Sequence, residues 1–84
     1  LEAMTAFVKV VALGSYAEAG RALGTTRSAV SKAVMELEHQ LGVRLLDRTT
    51  RRVGATEAGL AYYDRCLDVL ARIEETELQI ARLH

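Results

Sequence analysis

Ser15-Tyr16-Ala17-Glu18-Ala19-Gly20-Arg21-Ala22-Leu23-Gly24-Thr25-Thr26-Arg27-Ser28-Ala29-Val30-Ser31-Lys32-Ala33-Val34-Met35-Glu36-Leu37 is the stretch that decides the fold. Its first four residues have the capping-box pattern, a serine that can cap a helix and a glutamate that can reach back to it. A short helix follows to about Leu23, and Gly24 supplies a turn at the residue type for which a positive φ costs least. Thr26 is the expected N-cap of the next helix, which runs to about Gln40 and stops at Gly42. Two helices joined by so short a turn, with the small pair Ala19-Gly20 letting them approach closely, predict a helix-turn-helix. Val30, Ala33, Val34 and Leu37 form the inward face of its second helix. Ser28, Ser31, Lys32 and Met35 share the opposite face, where a DNA major groove can accept small and basic side chains. On these residues alone, an αα-hairpin with a merely solvated polar face is the alternative.

Working outward, Met4, Phe7, Val8 and Val11 mark one apolar face of a preceding helix that ends at Gly14. Downstream, Leu45-Leu46 and Val53-Gly54-Ala55 flank the polar run Thr49-Thr50-Arg51-Arg52, the pattern of a small two-stranded hairpin. Thr56 caps a fourth helix, with Glu57 at its positive end, and no proline or later glycine than Gly59 interrupts it towards His84. The expected fold is mainly α: a winged helix-turn-helix of three helices and a short β-hairpin wing, followed by a long dimerisation or linker helix. Residues 1–56 are expected to form the DNA-binding domain and residues 57–84 the linker helix.

Net charge is zero, but its distribution is uneven. Residues 21–52 carry seven basic side chains against three acidic ones, a local balance of +4, and residues 57–84 carry three against six, a balance of −3. Such segregation predicts a basic face and an acidic stem. Arg48, Arg51 and Arg52 sit where a wing meets phosphates or a minor groove, and each phosphate neutralised adds salt-dependent affinity without reading sequence.

Other function classes find little support. An 84-residue chain suffices for one small domain, too little for a self-contained enzyme with a cleft. Cys66, the single cysteine, lies in an apolar helical stripe without an adjacent histidine, as a core residue would, and permits no intrachain disulfide. His39 and His84 lack metal-ligand spacing, no glycine loop cradles phosphate, and no apolar run is long enough for a membrane span. No catalytic residue, metal or cofactor is expected. The lack of disulfide pairing and of a signal peptide predicts a cytoplasmic protein. Leu1 stands where no methionine precedes it, and the chain stops within helical sequence, so a fragment of a longer protein is expected.

The series Phe7, Gly14-Ser15-Tyr16, Ala19-Gly20-Arg21-Ala22-Leu23-Gly24, Ser28-Ala29-Val30-Ser31, Leu37-Glu38, Leu41-Gly42, Leu45-Leu46-Asp47-Arg48 and Thr56-Glu57-Ala58-Gly59 resembles the amino-terminal domain of LysR-type transcriptional regulators over nearly the whole chain. The resemblance implies bacterial transcription control by a homodimer or dimer of dimers, with an effector-binding domain missing from this chain. It also implies that Thr26, Arg27, Ser28, Ser31 and Lys32 contact the major groove, and that Arg48, Thr50, Arg51 and Arg52 contact the backbone or minor groove. Some positions depart from the family pattern. Arg27 stands where glutamine is usual, and arginine suits guanine or phosphate where glutamine suits adenine. Gly20 replaces an alanine, which predicts a second helix loosened by roughly 0.5–1 kcal/mol. Leu46 replaces a phenylalanine, and Ala55 a larger apolar residue.

The last helix carries two apolar stripes where packing on one domain needs one. Tyr62, Cys66, Val69, Ile73 and Ile80 are expected to form the dimerisation stripe, and Leu60, Tyr63, Leu67 and Leu70 the other. A symmetric dimer of this kind predicts double-stranded DNA with an imperfect inverted repeat as the partner, its half-sites about one turn, roughly 34 Å, apart or a multiple of it. Two competing readings remain at this point: a winged helix used for protein–protein contact, and a non-specific architectural DNA binder.

Overall fold

A computed structural model describes residues 2–48 and 53–83. Along the chain run α1 (Glu2–Leu13), α2 (Tyr16–Leu23), α3 (Arg27–Leu41), β1 (Leu46–Arg48), β2 (Val53–Ala55) and α4 (Glu57–Ala81). This is the winged helix-turn-helix with a long final helix that the sequence predicts.

Local chemistry sets the boundaries. Ser15 Oγ accepts the Glu18 N–H at 3.1 Å, and Thr26 Oγ1 accepts the Ala29 N–H at 3.0 Å, so each half of the helix-turn-helix begins on a side-chain cap. Gly24 adopts φ 70°, and the Thr25 N–H turns back to the Gly20 carbonyl at 2.8 Å. The turn closes around Gly20: a Cβ there would stand 3.0 Å from the Thr26 carbonyl carbon and 3.1 Å from the Arg27 nitrogen. The missing side chain therefore relieves a tight approach, which offsets the looseness expected of glycine at this position.

Helix α1 lies at the centre, packed on α2, α3 and α4. Phe7 and Val10 are fully buried and Ala6 nearly so, while Met4, Val8 and Val11 pack on the core from its margin. The buried face is thus rotated from the stripe expected on sequence, because α1 is covered from more than one side. Tyr16 and Ala19 of α2, Val30, Val34 and Leu37 of α3, and Leu45, Leu46 and Cys66 complete the core.

The hairpin pairs antiparallel in the register Leu46 to Ala55, Asp47 to Gly54 and Arg48 to Val53. It is fastened to the start of α4. The Thr56 N–H donates to the Leu45 carbonyl at 3.0 Å, the Thr56 hydroxyl donates to the Arg44 carbonyl at 2.7 Å, and the same oxygen caps α4 through the Gly59 N–H at 2.9 Å. A Cβ on Gly59 would collide with the Leu45 carbonyl, so glycine is the residue that lets α4 leave the body here. At 1.5 Å per residue α4 is about 37 Å long. It gives the molecule its longest extent, 50 Å against 25 and 20 Å.

Candidate nucleic-acid interface

The exposed side of α3 follows from its buried side. Val30, Val34 and Leu37 face the core, which turns Arg27, Ser28 and Lys32 outward and leaves Ser31 half-buried between them. With Met35, Glu36 and His39 these four line one shallow, open groove along the helix. The first turn of α3 contains no acidic residue. A cation at the first helical position, Arg27, works against the helix dipole, so this positive end favours an anionic partner rather than internal neutralisation. Thr26, also expected here, spends its oxygen as the acceptor of the N-cap bond.

Beneath the wing lies a polar network that sequence reading missed. Glu38, only 7% exposed, continues the row of Val30 and Val34 into the core. Its Oε2 accepts the backbone N–H groups of Leu45 at 2.8 Å and Leu46 at 3.1 Å, and its Oε1 accepts Arg48 Nη2 at 3.1 Å. Arg48 Nε in turn donates to the Tyr16 hydroxyl at 2.9 Å. Arg44 Nε stands 3.8 Å from the carboxylate, and its Nη2 donates to the Leu46 carbonyl at 3.3 Å. Burial acts to raise the Glu38 pKa, but the two amides and Arg48 outweigh it and hold the carboxyl below its ordinary value. Burial likewise acts to lower the Arg48 pKa, and its bonds to Glu38 and Tyr16 prevail and raise it. Tyr16 moves up, chiefly through burial. Among the described residues, no buried side-chain nitrogen or oxygen lacks a partner.

Arg48 thus joins the wing to the end of α3 and the start of α2. Its guanidinium is engaged within the protein, a constraint on the DNA contact expected of it. The signal that could have found Glu38 is its spacing: Val30, Val34 and Glu38 recur every four residues, and an acid on such a buried row needs donors. Three further expected contacts, Thr50, Arg51 and Arg52, lie outside the described residues.

One sequence expectation needs correction. Tyr62 and Cys66, read as part of a dimerisation stripe, pack inside this chain. The Tyr62 ring lies 5.6 Å from that of Phe7, and Cys66 is fully buried. The reason is that α1 lies against α4 and covers the first turns of that stripe. Farther along, Val69 and Ile80 are exposed and Ile73 is half-buried. The second row is open at Leu60 and Leu67 and half-buried at Leu70, while Tyr63 packs on the core; Leu78, outside both expected rows, is also exposed.

A fold of three helices and a wing, with an exposed basic and polar helix face, defines the class of winged helix-turn-helix nucleic-acid-binding modules. Residues 1–60 match the family described as bacterial regulatory helix-turn-helix protein, lysR family. The chain is 48% identical over 77 residues to an HTH-type transcriptional regulator of Xanthomonas campestris pv. campestris, covering 92% of this chain and 22% of that protein. It is 41% identical over 83 residues to the HTH-type transcriptional regulator CrgA of Neisseria meningitidis, covering 99% of this chain and 28% of that one. Among solved structures, it superposes on BenM_DBD in complex with catB site 1 DNA with a TM-score of 0.94 at 27% identity, covering 98% of this chain and 91% of that chain. Full-length CbnR complexed with its target DNA gives a TM-score of 0.89 at 25% identity, over 95% of this chain and 28% of that one. The chain belongs to the LysR family and carries that family's winged-helix DNA-binding domain. It spans about a quarter of the length of these curated relatives.

Proposed function

We propose that this chain is the sequence-reading part of a homodimeric bacterial transcription regulator whose effector-binding domain lies elsewhere in the full-length protein. In this reading residues 1–56 form the DNA-binding unit, and residues 57–84 form the helix that joins two copies. The protein acts in the cytoplasm, associated with the nucleoid when bound. Among the described residues, no helix is long and apolar enough to cross a membrane.

The observation that carries the proposal is the outward face of α3, where Arg27, Ser28, Ser31 and Lys32 share one groove whose helix end bears no acidic residue. These side chains, with Thr26 at the cap, enter the major groove, while Thr50, Arg51 and Arg52 serve the backbone or minor groove. Arg48 is a positioning residue: through Glu38 and Tyr16 it fixes the wing against the recognition helix. The dimer interface is formed by α4, with Val69, Ile73 and Ile80 retained from the expected stripe on one side of the helix and Leu60 and Leu67 of the second stripe exposed on the other. Two copies related by a two-fold axis present their α3 helices to an imperfect inverted repeat.

Charge reversal tests this reading. Arg27→Glu combined with Lys32→Glu leaves the core untouched, because both side chains are exposed. The expected result is thermal stability undiminished, and raised slightly by the acid at the helix N-terminus, with loss of DNA binding in fluorescence anisotropy. Retained DNA affinity would contradict the proposal, and retained partner capture without DNA binding would favour a protein-contact module.

A further inference from the structure

Met35 is a large apolar side chain on a face otherwise made of polar and charged residues, and it is 54% exposed. Nothing in the core explains its presence, since α3 packs inward through Val30, Val34 and Leu37. Its position on the face does. Long side chains on a helix lean towards its N-terminus and cover the preceding turn. Here the Met35 sulfur lies 4.0 Å from the Ser31 hydroxyl, which donates to it. The thioether is therefore carried back from its own turn to the level of Ser31 and Lys32, inside the groove assigned to base contact. The major-groove edges of the base pairs offer donors and acceptors, and the one apolar group among them is the thymine C5 methyl.

Resting on the proposed reading of α3 as the recognition helix, we infer that Met35 is a specificity-determining residue that reads a thymine methyl group. Arg27 and Lys32 supply charge and hydrogen bonds, and Met35 supplies the apolar contact beside Ser31.

The test replaces each thymine of the preferred half-site in turn with deoxyuridine, which lacks only the methyl group, and measures binding by fluorescence anisotropy. Burying one methyl group sets the scale, so removing it at one position in each half-site should weaken wild-type binding by about fourfold per half-site. Met35→Ala should bind the thymine duplex more weakly and be indifferent to that same replacement, whereas Met35→Leu should keep the discrimination. Both variants should melt with the wild type, since the side chain is outside the core. Equal losses on deoxyuridine for wild type and Met35→Ala would overturn the inference, as would indifference of the wild type at every thymine. If the wild type prefers no duplex over random DNA, the underlying reading of α3 fails as well, and that result is distinct from tight, specific binding that ignores the methyl groups.

Discussion

Glu38 illustrates how one buried carboxylate organises an interface it does not line. It gathers two backbone amides from the wing's first strand region and a guanidinium from Arg48, so the wing's position is tied to the end of α3. Removing one member of a buried ion pair leaves its partner uncompensated. Glu38→Gln should therefore cost about 2 kcal/mol at neutral pH, less than for a fully enclosed pair because Arg48 is partly solvated. The sign of the pH dependence follows from the depressed carboxyl pKa. The stabilisation is fully present above the ordinary value of 4.5 and is lost as pH falls through the lower folded value. Urea denaturation of wild type and Glu38→Gln, from neutrality down into the acid range, should show a gap that closes on acidification. A gap independent of pH would contradict this assignment. Little of this was legible in the sequence. The partners of Arg48 lie ten and thirty-two residues away, and a basic residue in a predicted wing carries no local mark of whether it faces DNA or the protein.

At the scale of elements, what could be read was what local chemistry determines. Ser15, Thr26 and Thr56 cap the helices they were expected to cap, and Gly24 and Gly42 end theirs in left-handed conformations. The inward face of α3 was legible for the same reason, being set by a single helical period. The face that α4 turns to the body was not, because it depends on where α1 crosses it. Two apolar stripes were visible, but only tertiary packing places Tyr62 and Cys66 inside and leaves Leu60 and Leu67 open. The junction between wing and α4 rests on Gly59, whose lack of a side chain admits the Leu45 carbonyl. Gly59→Ala should destabilise the domain by about 1–3 kcal/mol despite alanine's better helix propensity, because backbone on both sides must move. Chemical denaturation checks this, and a stabilised Gly59→Ala protein would show that the junction yields easily.

The whole molecule sets a small body of three helices and a wing against a projecting α4. Seven basic residues lie in residues 21–52, and the acidic excess lies in residues 57–84, so the two parts differ in charge as well as in shape. In the proposed dimer the stem holds two heads at a set spacing, and a rigid connection through Thr56 and Gly59 transmits that spacing to the recognition helices. The most direct test is selection of bound duplexes from a random-sequence pool with this chain, followed by sequencing. The account predicts an enriched imperfect inverted repeat, with a base preference inside each half-site that changes when Arg27→Gln is used in place of the wild type. Bound DNA without any enriched motif, or no DNA recovered even at low salt, would contradict it.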